Sequence, residues 1–148
     1  LNKLCSDLML FHKKSNKNIN FIYINKKNSL FMNVDDLQMS MAISNLIQNS
    51  IESINEYKNK NQKLIGKIKL SIYFKKNYVY IKIEDNGGGL PKNFSKNKIL
   101  EPYITTKKSG TGLGLAIVLR IIEEHNGNFY IEDNKVGTSA LIELPRKH

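Results

Sequence analysis

The alternation of hydrophobic and polar positions along the chain predicts a mixture of helices and strands. The first apolar residues recur at helical spacing and predict an N-terminal helix with a stripe made of Leu1, Leu4, Leu8 and Phe11. This helix is interpreted either as a terminal helix that packs on its own domain or as the tail of a longer upstream helix. Residues 19–24 and 30–34 then predict two strands that flank a polar turn.

The longest predicted helix covers residues 35–56 and has two distinct sides. One side carries the apolar positions and the small Ser50, namely Met39, Ile43, Leu46, Ile47, Ser50 and Ile54. The opposite side carries Gln38, Asn45, Asn49, Glu52 and Glu56. Because Asn45 and Asn49 are four residues apart, their amides project from the same side. A solvated polar face is one interpretation; a functional role is the other, because Asn is a mediocre helix former.

The second half of the chain predicts a hairpin, a glycine-rich region, a helix and a second hairpin. The hairpins comprise residues 67–74 with 78–84 and residues 128–132 with 138–144, and the helix covers residues 113–124. Gly127 follows the helix as a C-terminal cap would. The predicted fold class is therefore α/β (α+β), a two-layer sandwich with a mixed, largely antiparallel sheet and helices on one face.

Composition narrows the function classes. The chain has 148 residues, which suits one domain, and a formal net charge of +10. The lysines are scattered and accompany no groove-reading motif, so nucleic-acid binding is not expected. The single cysteine, Cys5, fits a reducing compartment, and no apolar run reaches the roughly 18 residues of a membrane span. The chain is expected to be cytoplasmic and, without an initiating Met, to be a piece of a longer protein.

Two glycine clusters suggest a phosphate-binding site. One covers residues 85–89 at the end of a predicted strand, and the other covers residues 110–115 at the start of a helix. Glycine allows close backbone approach, and the start of a helix attracts anions. A Walker loop is excluded because no lysine stands at the required place, and the dinucleotide fingerprint is excluded because its third glycine is missing. The protein-kinase signature is absent as well.

Four motifs in register resemble the ATP-binding catalytic domain of bacterial sensor histidine kinases. This domain belongs to the wider GHKL family, which includes the gyrase, Hsp90 and MutL ATPase domains and shares the Bergerat ATP-binding fold. The matching motifs are an N box at residues 45–50, Asp-Asn-Gly-Gly-Gly at 85–89, an F box at 100–107 and Gly-Thr-Gly-Leu-Gly-Leu at 110–115. Residues 49–53 and 101–127 are most similar to the nitrogen-regulation, NtrY/NtrB-like branch. Ser50 replaces the usual Ala of the N box, and Tyr103 replaces the frequent Phe of the F box.

The resemblance implies an ATP or ADP site. Asp85 would accept a hydrogen bond from the adenine amine, which favours adenine over guanine because guanine has a carbonyl at that position. Gly87 and Gly89 would keep the base pocket open, and Thr138 would be a second contact on the adenine side. The simpler interpretation is that these residues form an ordinary turn.

At the phosphate end, the resemblance implies that Asn49 binds Mg²⁺ and that Asn45 lies beside the phosphates. Residues 91–110 would form a lid, with Thr106 and Lys107 as phosphate contacts, Lys108 as the rival lysine and a solvated loop as the simpler interpretation. The backbone around the second glycine cluster would hold the phosphates, and the implied ligand-binding residues there are Gly110, Thr111, Gly112, Leu113, Gly114 and Leu115. Asn45 and Lys107 are the implied catalytic residues.

The implied reaction is transfer of the γ-phosphoryl group to a histidine on a separate dimerisation domain, for relay to a response-regulator Asp. None of His12, His125 and His148 fits that acceptor, so the fragment is expected to bind ATP without autophosphorylating alone.

Residues 1–16 are predicted to be the tail of an upstream dimerisation helix and 17–148 the catalytic domain. The parent protein is expected to be a homodimer, either with or without an anchor in the inner membrane, and the fragment a monomer. A stand-alone ATPase is disfavoured because Asn45 cannot act as a general base. A nucleotide-free regulatory module is disfavoured because Asp85, Asn49 and the lid glycines are present.

Overall fold

The computed structural model describes residues 1–26, 32–93, 95–105 and 110–146. Within these ranges the secondary-structure elements follow in the order α1 (Asn2–Ser15), β1 (Ile19–Asn25), α2 (Asp36–Lys60), β2 (Gly66–Lys75), β3 (Tyr78–Asp85), α3 (Lys96–Ile99), α4 (Gly114–Glu124), β4 (Asn128–Asp133) and β5 (Thr138–Pro145).

The strands form one sheet in the order β1-β2-β3-β5-β4. β1 pairs in parallel with β2, whereas the β2–β3, β3–β5 and β4–β5 pairs are antiparallel. The predicted mixed, largely antiparallel sheet is therefore confirmed. β3 lies in the middle of the sheet, and Asp85 at its end is adjacent to the start of β5, where Glu84 pairs with Ser139. Two chain segments that are distant in sequence thus meet at one end of the sheet.

The core lies between one face of the sheet and the helices. Along β2, Ile68, Leu70 and Ile72 are fully buried and alternate with more exposed residues. The apolar side predicted for the long helix is buried against them, since Met39, Ile43, Leu46, Ile47, Ser50 and Ile54 are all buried in α2. Burial of this apolar surface is the main force that holds the helices on the sheet.

The opposite face of the sheet is polar. Lys69 and Lys82 from neighbouring strands place their ammonium groups 2.6 and 2.9 Å from the carboxylate of Glu84. Tyr73 and Tyr80 stack with their ring centroids 5.1 Å apart. Burial opposes ionisation of Glu84, but the two ammonium groups outweigh it and lower the pKa of this carboxyl. The helices therefore occupy one face and leave the other to charged and aromatic side chains.

Helix α1 packs on β1 and α2 with most of the predicted stripe. Leu1, Leu4 and Leu8 are partly buried against the core, whereas Phe11 is 64% exposed, so the inclusion of Phe11 in the packed stripe is wrong. The inward position belongs to its neighbour His12, which is buried and forms a 2.9 Å hydrogen bond to Ser44 of α2, and an apolar pattern does not count a histidine as buried. The continuation of residues 1–16 into an upstream helix stays a prediction.

The strand predicted at residues 30–34 is wrong where it can be checked. Residues 27–31 lie outside the described ranges, and residues 32–34 are not a strand. Asp35 immediately afterwards is the N-cap of α2, with its carboxylate accepting a hydrogen bond from the Gln38 amide at 2.9 Å. These residues therefore lead into a helix start rather than along a sheet edge.

Candidate functional site

A cleft of about 390 Å³ lies between α2, the end of β3 and the start of α4. A volume of this size is within the range of small-molecule sites. The predicted site residues that line it are Asn45, Asn49, Asp85, Gly89, Gly110, Thr111, Gly112, Gly114, Leu115 and Thr138. Ile83, Ile131 and Ala140 add apolar walls. The F-box residues Ile104 and Thr105 line it too, so the cleft brings together residues from all four sequence motifs and from β5.

The Asp85 carboxylate accepts three hydrogen bonds at one end of the cleft. This carboxylate is 7% exposed, and one oxygen, Oδ1, accepts hydrogen bonds from the amides of Gly87 (2.9 Å) and Thr138 (3.3 Å). The other oxygen, Oδ2, accepts from the hydroxyl of Ser50 at 3.0 Å. Burial raises the pKa of the Asp85 carboxyl, and the bonds from Gly87, Ser50 and Thr138 oppose part of that rise. The three hydrogen bonds hold the carboxyl group in one orientation.

The loop after Asp85 lies directly on α2. A Cβ at Gly87 would lie 2.8 Å from the Ser53 carbonyl carbon and 2.9 Å from the Ile54 nitrogen, so only glycine allows this approach. The next amide, from Gly88, donates to the Ser53 hydroxyl at 3.1 Å. Gly87 does not itself line the cleft, and its observed role is to let the loop pack against the helix.

The turn between β4 and β5 clamps the same loop from the other side. Asp133 accepts a 2.7 Å hydrogen bond from the Leu90 amide, at the point where the predicted lid begins. Gly137 has φ of +79°, and a Cβ there would contact the carbonyl group of Asp85. Asp133 was predicted only as part of a turn, since the partner of its side chain is 43 residues away.

The two amides of α2 lie at the other end of the cleft. Asn45 and Asn49 both line it, as does Gly114 at the start of α4. A Cβ at Gly114 would lie 3.8 and 3.9 Å from the two terminal atoms of the Asn49 amide, which is ordinary van der Waals contact. The polar side predicted for the long helix is therefore a cleft wall, and Glu52 and Glu56 line the cleft as well.

Helix α4 begins without a side-chain cap, because its N-cap residue is Leu113. The first amides of a helix have no partners within the helix, so this end suits an anion. The preceding Gly112 has φ of +68° and its carbonyl accepts a 2.9 Å hydrogen bond from the Tyr103 amide. A Cβ at Gly112 would also lie 2.8 Å from the Ile104 nitrogen, so this turn requires glycine.

Part of the predicted lid lies outside the described residues. Thr106, Lys107 and Lys108 belong to residues 106–109, and the prediction that they contact phosphate stays untested. The lid also contains the short helix α3, which was not predicted, although its N-cap signal was present. Ser95 accepts a hydrogen bond from the Lys98 amide at 3.3 Å, and Ile99 of this helix lines the cleft.

His12 and His125 both have structural roles. His12 is bonded to Ser44, while His125 lies at the end of α4, where Nδ1 is 2.8 Å from the Ile121 carbonyl oxygen. Its Nε2 accepts a 3.0 Å hydrogen bond from the amide of Asp35, which ties the end of α4 to the start of α2. His148 lies outside the described residues.

Two further features of the described ranges concern metals and membranes. There, no group of three or more His, Cys, Asp or Glu side chains could hold a metal ion. Among the same residues, no helix is both long and apolar enough to cross a membrane.

Comparison with known proteins places the chain in a family. Residues 34–148 match the profile of the histidine kinase-, DNA gyrase B-, and HSP90-like ATPases. Nitrogen regulation protein NtrY of Azorhizobium caulinodans is 42% identical over 109 residues, and sporulation kinase A of Bacillus subtilis is 34% identical over 134 residues. These alignments cover 74% and 88% of this chain but only 14% and 21% of the two relatives. The chain therefore spans about a fifth or less of their length.

Solved structures agree with this relationship. The catalytic domain of histidine kinase ThkA superposes with a TM-score of 0.84 at 30% identity, covering 99% of this chain and 92% of that one. A second structure, of ThkA in complex with the response regulator protein TrrA, gives a TM-score of 0.81 at 27% identity and covers 99% of this chain and 40% of ThkA. The resemblance to a histidine-kinase catalytic domain, and to the NtrY-like branch among its relatives, is confirmed.

Proposed function

The chain belongs to the histidine kinase-, DNA gyrase B-, and HSP90-like ATPase family and is a catalytic domain of the histidine-kinase type, and from this premise we propose how its cleft works. The cleft binds ATP with the adenine at Asp85 and the phosphates near Asn45, Asn49 and α4. It presents the γ-phosphate to a histidine on a dimerisation domain of the same parent protein. The phosphoryl group then passes to an aspartate of a response regulator.

The observation that carries this proposal is the state of Asp85. A buried carboxylate is costly unless it is bonded, and this one is fixed by three donors from its own chain. It leaves acceptor capacity for the amino group of adenine, and it repels the carbonyl of guanine. The polar contact is surrounded by the apolar walls of Ile83, Ile131 and Ala140, which suit an aromatic base.

The phosphate end supports binding of Mg-ATP. Mg²⁺ commonly takes few protein ligands and completes its shell with water and substrate phosphates, so the amide oxygen of Asn49 fits it. When bound, Mg²⁺ neutralises charge on the phosphates. The uncapped amides of α4 and the backbone at Gly112 and Gly114 hold the phosphate oxygens. Thr106 and Lys107 are proposed to reach the phosphates when the lid closes, and Lys107 would stabilise the transferring group.

Asn45 separates phosphoryl transfer from simple hydrolysis. An amide orients a neighbour through hydrogen bonds but does not take a proton at neutral pH, so this residue does not activate water. The reaction consequently depends on a base and an acceptor supplied with the histidine domain. Transfer by positioning and charge neutralisation is the expected mode of catalysis.

The partners and location follow from the same proposal. The parent protein acts as a homodimer through its histidine-containing domain, the isolated chain is a monomer, and the work is done in the cytoplasm. ThkA, which shares the fold, is known in complex with a response regulator protein. By analogy, a receiver domain is the proposed acceptor of the phosphoryl group from this parent protein.

The test has two steps that use purified chain. Calorimetric titration with ATP and with GTP, each with and without Mg²⁺, should give saturable ATP binding that Mg²⁺ strengthens and weak GTP binding. Asn49→Ala should lose most of the Mg²⁺ effect and keep metal-free ATP affinity. Addition of the parent's dimerisation domain with γ-labelled ATP should then give acid-labile label on that domain. Rapid ATP hydrolysis by the chain alone, with no label transferred, would contradict the proposal.

A further inference from the structure

The Ser50 hydroxyl, which lies outside both glycine clusters, forms a hydrogen bond to the Asp85 carboxylate. Ser50 lies on the apolar side of α2 and is buried, with 6% of its surface exposed, yet it lines the cleft. Its Oγ is 3.0 Å from Asp85 Oδ2 across 35 residues of sequence. The sequence implies only that Ser50 replaces the usual Ala of the N box. The structure gives its hydroxyl a specific partner.

The hydrogen-bond capacity of Asp85 explains why this contact matters. An ionised carboxylate offers about four acceptor positions, two on each oxygen. Gly87 and Thr138 donate to Oδ1, and Ser50 donates to Oδ2. The described residues therefore occupy three positions, and the fourth lies on the oxygen that Ser50 contacts. Ser50 consequently acts on the same oxygen that remains for the ligand.

We propose that Ser50 is a positioning residue for base recognition: its hydroxyl donates to Asp85 Oδ2 and fixes the orientation of the acceptor that is left for the adenine amine. This inference rests on the proposed role of Asp85 and deepens it. Because the carboxylate is acceptor-only, the hydroxyl hydrogen must point at Asp85. It is then not available to donate to the carbonyl of guanine.

Electrostatics supports the same assignment. Burial raises the pKa of Asp85, while the donors from Gly87, Ser50 and Thr138 each favour the charged form. The backbone donors are set by the fold, whereas the Ser50 donor depends on one side chain. Loss of this hydroxyl should therefore raise the pKa further, so that Asp85 becomes protonated at a pH where the native carboxylate is still charged.

The direct test is a titration of the Asp85 side-chain carboxyl carbon by NMR in the ligand-free chain, for the native protein, Ser50→Ala and Ser44→Ala. Ser44 is the matched control because it lies on the same helix and loses a hydrogen bond of similar length, to His12, outside the cleft. The proposal predicts a midpoint moved to higher pH in Ser50→Ala alone. An unmoved midpoint in folded Ser50→Ala, or an equal movement in Ser44→Ala, would overturn it.

The functional readout is the pH profile of ATP affinity. Between the two midpoints that the carboxyl titration gives, Ser50→Ala should bind ATP up to roughly tenfold more weakly than the native chain, and above both midpoints within about twofold of it, since hydrogen bonds to charged groups are worth this much. Ionisation of ATP affects both proteins equally and cancels in the ratio. A ratio that is constant with pH would contradict the proposal. Failure of the native chain to bind ATP would instead defeat the proposed function, while the carboxyl titration would still report on Ser50.

Discussion

The two ends of the cleft differ in how far their polar groups are satisfied by the chain itself. At the base end, Asp85 accepts three hydrogen bonds and the loop beside it is packed on α2. At the phosphate end, α4 begins at Gly114, and the side chain of its N-cap residue, Leu113, cannot cap the first amides. The base end is therefore built in advance, whereas the phosphate end is completed by the ligand. This difference matches a site that selects adenine by a fixed acceptor and adapts to phosphates that are transferred and released.

One glycine from each end, Gly87 and Gly114, shows the same difference in how tightly the chain is packed. Gly87 is required because α2 backbone atoms lie within 2.9 Å of the position of its missing Cβ. Gly114 has no such neighbour, since the nearest atoms are those of the Asn49 amide at 3.8 Å. The first glycine holds the fold together and the second leaves room for a ligand.

The largest expected effect comes from removing the fixed acceptor. Asp85→Ala should weaken ATP binding by roughly 10- to 100-fold, the value of a buried bond to a charged group, and should largely abolish the preference for ATP over GTP. Calorimetry with both nucleotides measures this change. Retention of the ATP preference in a folded Asp85→Ala variant would show that the base end reads adenine in another way.

Substitution by alanine should disturb the base end at Gly87 and leave the fold of the phosphate end intact at Gly114. Gly87→Ala is expected to lower the free energy of unfolding by about 1–3 kcal/mol, because the clash is with helix backbone. Gly114→Ala should change it by no more than about 0.5 kcal/mol. Urea unfolding measures both values, and titration with adenosine, which has no phosphates, reports on the base end alone. Adenosine binding should suffer in Gly87→Ala and persist in Gly114→Ala.

The smallest expected effect is on the pH dependence of Asp85. As the pH rises, its contribution to the free energy of unfolding should fall while ATP affinity increases. The folded pKa of Asp85 is raised by burial, so its contribution to stability is fully present below the unfolded value of about 3.8. That contribution is lost as the pH rises through the folded pKa. ATP affinity should increase over the same window, because recognition needs the ionised form. Urea unfolding of the native chain and Asp85→Asn at several pH values isolates this contribution. Stability that rises relative to Asp85→Asn in this window would contradict the assignment.

Much of the fold could be read from the sequence because its elements follow simple periods. The apolar side of α2 is buried as predicted, and the bounds of β2, β3, β4 and β5 agree within two residues. The strand predicted at residues 30–34 was wrong where it can be checked, because a short apolar run is ambiguous and Asp35 directly after it caps the start of α2. The inclusion of Phe11 in the stripe was wrong because the inward position belongs to its neighbour His12, which is buried and bonded to Ser44. These are tertiary effects that a local pattern does not contain.

The site was predictable where motifs are local and hidden where contacts are long-range. The two glycine clusters and the α2 amides were identified from the sequence, and most of these residues line the cleft. Ser50 and Asp133 were not identified as site residues, since their partners, Asp85 and Leu90, are 35 and 43 residues away. Such partners emerge only when the sheet brings β3, β5 and α2 together.

Amide hydrogen exchange with and without Mg-ATP tests the difference between the two ends most directly. The account predicts that the amides of Gly87 and Thr138, which already donate to Asp85, are protected in the free chain and change little on binding. The amides of residues 112–115 should exchange faster in the free chain and become protected when Mg-ATP is added. The opposite pattern, with strong new protection at Gly87 and Thr138 and none at residues 112–115, would contradict the account.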